Sequence, residues 1–288
     1  MPQTQLGSYD EADDSHDSDR SAGDRSARGT DDSPSRRCLS LTVSGPWGHF
    51  RHVDGNTIKR TYRIMPRTTV AGMLSAVAGY DRDSYYDRFG PEVSGIAVEL
   101  IGEIRTMNLP ENSLTTSSEG LKTVNSRGKV SITYPDPNAD RQRVNYEVLV
   151  DPEYRIDVWL DDDEAYHHLK SMLSEGKSYY APSLGLSEHL AEIEYHGEYD
   201  VEPMAVDSEE IVTVESAVPD ADGVVPSPET TYGTERSPGY MTKTTGEGEF
   251  TGRKTTGFLT YTYSPSGAPL DVKGVEPVEV DGRTVVFV

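Results

Sequence analysis

Residues 45–67, GPWGHFRHVDGNTIKRTYRIMPR, set Arg51, Lys59, Arg60, Arg63 and Arg67 among His49, Phe50, His52 and Tyr62, against a single acid, Asp54. Cationic groups hold phosphates and aromatic faces stack unpaired bases, so this mixture suits single-stranded RNA. The same residues also allow a plainer reading, with Phe50 and Tyr62 in a core and the arginine heads merely solvated. A second basic cluster tips the balance towards function. Lys122, Arg127, Lys129, Arg141 and Arg143 lie in or just after a polar stretch at 110–141. Arg51, Arg60, Arg63 and Arg67 are therefore expected to contact an RNA backbone, beside the N-terminus of a following helix. Phe50, Tyr179 and Tyr180 are expected to stack bases or to fill the core.

Other chemistries find little support. GEGEFTGRKTTG at 246–257 imitates a phosphate loop, but only three residues separate Gly248 from Gly252, and Arg253 intrudes before Lys254. A Walker loop needs four residues there and a helix afterwards. It reads better as a glycine-rich basic loop that touches a partner or RNA. The seven histidines, His16, His49, His52, His167, His168, His189 and His196, show no pair at metal spacing with a third ligand nearby. Cys38 is the only cysteine, which excludes an intrachain disulfide and a cysteine-built zinc site. No G-x-S-x-G nucleophile elbow is present. No catalytic residue, metal or cofactor is expected.

The rest of the chain is acidic: 49 Asp and Glu against 27 Lys and Arg, a formal charge of −22. Mean hydropathy is −0.60. Such a surface repels itself unless salt screens it, and with eight Lys against nineteen Arg the composition reads as that of a halophile's cytoplasm. The N-terminus lacks the apolar region of a signal peptide, and no apolar stretch approaches a membrane span. A cytoplasmic protein is expected.

The elements that must position the basic groups follow from periodicity. Residues 1–37 are rich in Ser, Asp and Gly, and cannot bury enough surface to offset ordering entropy, so a disordered acidic tail is expected. Leu39, Leu41 and Val43 alternate as a strand. Pro66 opens a helix that Thr68 or Thr69 can cap, with Val70, Met73, Leu74 and Val77 on one face and Gly79 at its end. A short polar helix is possible around 83–90. Residues 93–109 read as a strand interrupted at Gly102, and 143–160 as two strands broken at Asp151-Pro152. Residues 161–176 form a helix with acids in its first turn, and LAEIEYH alternates as a strand. The order β, α, β, insertion, β, α, β over 38–203 predicts an α+β, ferredoxin-like or RRM-like domain. A β-rich region is expected over 204–288, with a loop at 219–249.

Several stretches in order resemble the CRISPR-associated RAMP proteins of the Cas-five family. GPWGHFR and then IMPRTTVAGMLSAVAG resemble its opening. QRVNYEVLVDPEYRIDVWL and YYAPSLGLSEH resemble its strand pair and its Tyr-Tyr-x-Pro-x-Leu-Gly loop, and TERSPGYM resembles a C-terminal landmark. The resemblance covers most of 38–288. It implies an RRM-like fold whose insertion, about 107–142, projects as a β-hairpin thumb, with Arg105, Lys122, Arg127, Lys129, Arg141 and Arg143 as its RNA contacts. It also implies a subunit of the type I surveillance complex, Cascade, that holds the 5′ handle of the crRNA. Its implied partners are the backbone RAMP subunit, the large subunit and the crRNA-processing RAMP endonuclease. The acidic composition points to subtype I-B of a haloarchaeon. In subtype I-C the family member itself cuts RNA, with a Tyr and an adjacent Lys-His pair. This sequence has no Lys-His dipeptide and no histidine at 110–141, so a non-catalytic role is expected, with an endoribonuclease or a generic interaction module as the alternatives.

Overall fold

The structure, a computed structural model, describes residues 36–52, 58–114, 123–124, 130–131, 141–220, 223–228, 230–244 and 252–288. The expected acidic tail therefore lies almost wholly outside the described residues, as do Lys122, Arg127 and Lys129. The described part is mostly strand, with two α-helices.

Strands β1 (Arg37–Ser44), β2 (Ser94–Leu100), β3 (Arg105–Leu114), β4 (Arg141–Val150), β5 (Glu153–Leu160) and β6 (Glu192–Asp200) precede the C-terminal region. Four of them form a sheet in the order β6–β1–β5–β2, every neighbouring pair antiparallel. Leu41 faces Ile156 on one side and Tyr195 on the other, and Ile156 faces Val98. Side chains alternate across a strand. Leu39, Leu41, Val43, Ile96, Val98, Ile156 and Val158 thus share the face beneath the helices, all at 0–1 % exposure. Each such aliphatic side chain contributes roughly 1.5–3 kcal/mol when buried.

Helices α1 (Arg67–Ala78) and α2 (Asp163–Ser174) follow β1 and β5. The capping expectation for α1 needs correction. Its N-cap is Pro66, without a side-chain cap bond, and the Thr68 hydroxyl instead donates to the Pro238 carbonyl at 3.3 Å. Gly79 closes the helix in the left-handed region, φ +78°, returning its N–H to Ser75. α2 is capped by Asp162, whose carboxylate accepts from the Ala165 N–H at 3.0 Å, with Asp163 and Glu164 in the first turn. The helix considered at 83–90 is instead a series of turns.

Between β2 and β5 the chain makes a long antiparallel ladder, β3 with β4, from Arg105 opposite Val150 to Leu114 opposite Arg141. Gly102, at φ +76°, turns β2 into the approach to β3.

The C-terminal region carries β7 (Gly233–Thr244), β8 (Gly252–Tyr263), β9 (Val278–Val280) and β10 (Arg283–Val285). β7 falls within the stretch 219–249 that reads as a loop in sequence. Its periodicity is broken by a register shift against β8 at Pro238–Met241. Leu259, Tyr261 and Tyr263 of β8 enter the main core. β9 and β10 pair with each other, and their Val280 and Val285 pack with Cys38, Ala97 and Trp159 on the sheet face away from the helices. There Arg283 donates to both oxygens of Asp157, each at 2.9 Å, and to Glu99 at 2.9 Å, while Ser40 bonds Asp157.

Candidate nucleic-acid interface

The segment after β1 folds back on itself. Phe50 pairs with Tyr62 and Arg51 with Thr61, and Ile58–Lys59 runs parallel to β4 at Asn145 and Tyr146. The His49 N–H donates to the Leu184 carbonyl at 2.9 Å, docking the loop after α2 onto this turn. Gly185 lies against the His49 carbonyl at φ +95°, where a Cβ would overlap that oxygen. Alternation then decides which groups point inward. Phe50 is 1 % exposed and packs on Tyr154 with ring centroids 5.9 Å apart. It is a core residue and not a base-stacking one, correcting the first of its two expected roles. Arg51 and Arg60 are exposed.

Two of the expected phosphate contacts are committed inside the protein. Arg67, 1 % exposed at the first position of α1, donates to the Phe89 carbonyl at 2.6 Å, to Ser94 O and Oγ at 3.1 and 2.6 Å, and to the Val288 oxygen at 2.9 Å. Its guanidinium also stacks 4.5 Å from the Tyr240 ring centre. Arg67 is therefore an internal tie, a correction with a simple cause: the oxygens of Phe89, Ser94 and Val288 converge on the first position of α1 and take up the guanidinium's donors. Arg63 is half-buried and forks onto Glu147 at 2.8 and 3.0 Å, and its own N–H donates to Glu235 at 2.6 Å. Burial holds the Glu235 carboxyl above its usual range, against the opposing pull of the Arg63 and Ile64 N–H groups.

The other expected residues fall on the surface or beyond description. Arg143 is exposed. Arg105 is exposed and pairs with Asp151 at 2.7 Å. Arg141 opens β4 opposite Leu114. Tyr179 and Tyr180 are 69 % and 49 % exposed, their rings edge-to-face at 4.8 Å. Their N–H groups donate to Val77 and Ala76 at 3.1 and 3.0 Å, so the last turn of α1 fixes them.

Two hollows flank the basic turn. A cleft of about 890 Å³ is lined by His52, Arg60, Tyr62, Arg236, Phe258 and Tyr263, among others. A groove of about 350 Å³ runs past Arg51, Pro66, Thr69, Gly72, Leu186 and Arg253. Tyr62 borders both. Tyr62 and Tyr263 are buried in the main core, so the exposed aromatic ring here is that of Phe258. It meets cations and the start of a helix along one surface, an arrangement able to hold phosphates and a base. Sequence reasoning misses Arg236 and Arg253 as site residues, although the basic loop at 246–257 contains the second of them. No group of three or more metal-ligating side chains occurs among the described residues, and no helix among them is long and apolar enough to cross a membrane.

A family model described as "CRISPR-associated protein (Cas_Cas5)" matches residues 38–238. No curated protein matches the sequence. Among solved structures, a chain of a "CRISPR RNA-guided surveillance complex" is similar at 12 % identity and TM-score 0.46, over 82 % of this chain and 91 % of that one. A chain of the type III-B Cmr-beta complex, bound to cognate target RNA and AMPPnP, gives 14 % identity and TM-score 0.40, over 82 % and 86 %. A CRISPR-associated protein gives 16 % and 0.33, over 57 % and 69 %.

Proposed function

The chain belongs to the CRISPR-associated Cas5 family, and from that premise we propose that it is a non-catalytic crRNA-binding subunit of a type I surveillance complex, Cascade. It holds the 5′ handle of the crRNA and links the backbone RAMP subunit to the large subunit, in subtype I-B of a haloarchaeon. The crRNA-processing endonuclease is a further partner. One observation carries the reading: in a chain of net charge −22, Arg51 and Arg60 stand exposed at the two hollows that Tyr62 divides.

The strand order β6–β1–β5–β2 with α1 and α2 between its strands supports a ferredoxin-like or RRM-like domain. The β3–β4 ladder supports the base of a thumb. β9 and β10 cover the sheet face on which an RRM stacks its bases. In this reading the RNA therefore runs along the basic turn and the start of α1 instead. Cleavage is not part of the role, because the Lys-His pair of the cutting relatives has no counterpart in the sequence.

The test is purification of the full chain from its native host with its partners, followed by sequencing of the bound RNA. Short RNAs sharing a repeat-derived 5′ end are expected. The purified chain, incubated with repeat RNA, is expected to leave it intact with or without divalent metal. RNA-free protein counts against the role, and specific cutting within the repeat replaces it with a nuclease.

A further inference from the structure

Twelve-residue strands β7 and β8 place Lys243 directly opposite Arg253, and like charges facing each other across a ladder destabilise it. Both side chains are exposed and neither belongs to any ion pair among the described residues; the Arg253 side chain bonds the neutral Tyr86 hydroxyl. The turn between the strands, residues 245–251 with Glu247 and Glu249, lies outside the described residues. A chain with 49 acids has no shortage of carboxylates to set beside a cation, yet here two cations share one face of the ladder. Arg253 also stands in the groove that holds Arg51 and the first turn of α1. On the same hairpin Arg236 lines the neighbouring cleft with Arg60, its guanidinium 4.3 Å from the Phe258 ring centre. The hairpin thus supplies one cation to each hollow, and the basic turn supplies another to the lining of each.

We propose that the β7–β8 hairpin is the second wall of the RNA surface, with Lys243 and Arg253 gripping one backbone phosphate across the groove from Arg51. The proposal rests on the RNA-binding reading above and extends it to a region of the chain outside the RRM-like half. A phosphate placed between two donors turns their mutual repulsion into shared attraction, and a guanidinium fork fits two phosphate oxygens at once. Arg236, stacked on Phe258, offers a flat cationic face to the neighbouring base in the cleft.

This arrangement predicts opposite signs for stability and binding, which a purely structural role does not. Lys243→Thr, Arg253→Thr and the double variant keep a strand-favouring residue. The full chain is measured for melting temperature without RNA at low salt. Binding is measured across a salt series with a fluorescein-labelled mixed-sequence single-stranded RNA about ten nucleotides long, and in parallel with poly-glutamate. Expected results are a melting temperature higher by about 1–3 °C and RNA affinity lower by about tenfold or more. The plot of log affinity against log salt is expected to be shallower by about 0.7 for each phosphate that is no longer neutralised. Unchanged RNA affinity in the double variant, alongside weakened binding in Arg51→Ala, overturns the second wall and leaves the RNA reading standing. A parent chain that binds no RNA sinks the RNA reading itself. Loss of poly-glutamate binding with RNA binding intact overturns the proposal in favour of an acidic protein partner. Because Arg253 also touches the Tyr86 hydroxyl, the Lys243→Thr variant decides the sign: a lowered melting temperature there shows that Lys243 is held by carboxylates and overturns the proposal as well.

Discussion

Arg63 and Glu147 hold each other by two parallel hydrogen bonds, Nη2 to Oε1 at 2.8 Å and Nη1 to Oε2 at 3.0 Å, although 84 residues separate them in sequence. Glu147 Oε2 also accepts from the Thr61 N–H at 3.2 Å. The pair fastens the basic turn to β4, and so sets where Arg51 and Arg60 emerge.

Breaking that pair should loosen the platform and not merely remove a charge. Arg63→Met or Glu147→Gln should each lower stability by about 1–3 kcal/mol, because each leaves a half-buried partner short of hydrogen bonds. Arg63→Lys should restore only part of the loss, since one ammonium cannot reproduce the fork. Denaturant unfolding measures this, and full recovery by Lys would show that charge alone matters.

Arg67 and Arg51 should behave as opposites. Arg67→Met strands the Phe89 and Ser94 carbonyls and should cost about 3 kcal/mol or more, without rescue by Lys. Arg51→Ala and Arg60→Ala should change stability by no more than about 0.5 kcal/mol while lowering crRNA retention about tenfold or more. A folded Arg67→Met protein with parental stability would place that side chain outside the core.

The exposed Tyr179 and Tyr180 test stacking away from the basic turn. If they carry bases, Tyr179→Ala or Tyr180→Ala should weaken RNA binding by about 1–3 kcal/mol each, and the Leu variants should recover only part of it. Parental affinity in both Ala variants would leave the pair as surface residues anchored to α1.

Stability should fall on acidification through a pair of neighbouring histidines. His49 and His189 are each held below the usual histidine value, by burial first. In His49 the Nδ1–H bond to the Glu147 carbonyl offsets part of this. The unfolded chain takes up these protons near pH 6.5, the folded chain only at lower pH. Their contribution is therefore intact above about pH 6.5 and is lost as pH falls below it, towards the folded-state values. His49→Gln should flatten melting temperature against pH between about pH 6.5 and 5. An unchanged slope would assign the acid sensitivity to other groups.

Much of the scaffold is legible in the sequence because its signals are local. The alternation of Leu39, Leu41 and Val43 marks β1, the acids of 161–164 mark the start of α2, and Asp151-Pro152 marks the break between β4 and β5. β7 is hidden because Pro238 and Gly239 sit at its register shift and break a period-two pattern. The candidate site is legible only in part. Arg51, Arg60, Arg63 and Arg67 look alike in sequence, and which of them faces solvent depends on partners as distant as Glu147, Ser94 and Val288. Arg236 and Arg253 reach the same surface from a hairpin far along the chain, a proximity that no local pattern encodes.

The bond from Arg67 to Val288 has a consequence in time. It closes a loop of 221 residues, and Ile96 exchanges both of its backbone hydrogen bonds with that same residue. A fragment ending near residue 203 would leave the Arg67 guanidinium without one of its acceptors and the main core without Leu259, Tyr261 and Tyr263. In the folded chain the N-terminal sheet and its helices are thus closed only by the most distant strands. Contacts of such long range slow folding and prolong the exposure of apolar surface. For this molecule the docking of the C-terminal strands is the expected slow step of folding, and a chain cut near residue 203 is expected to aggregate more readily than the full chain.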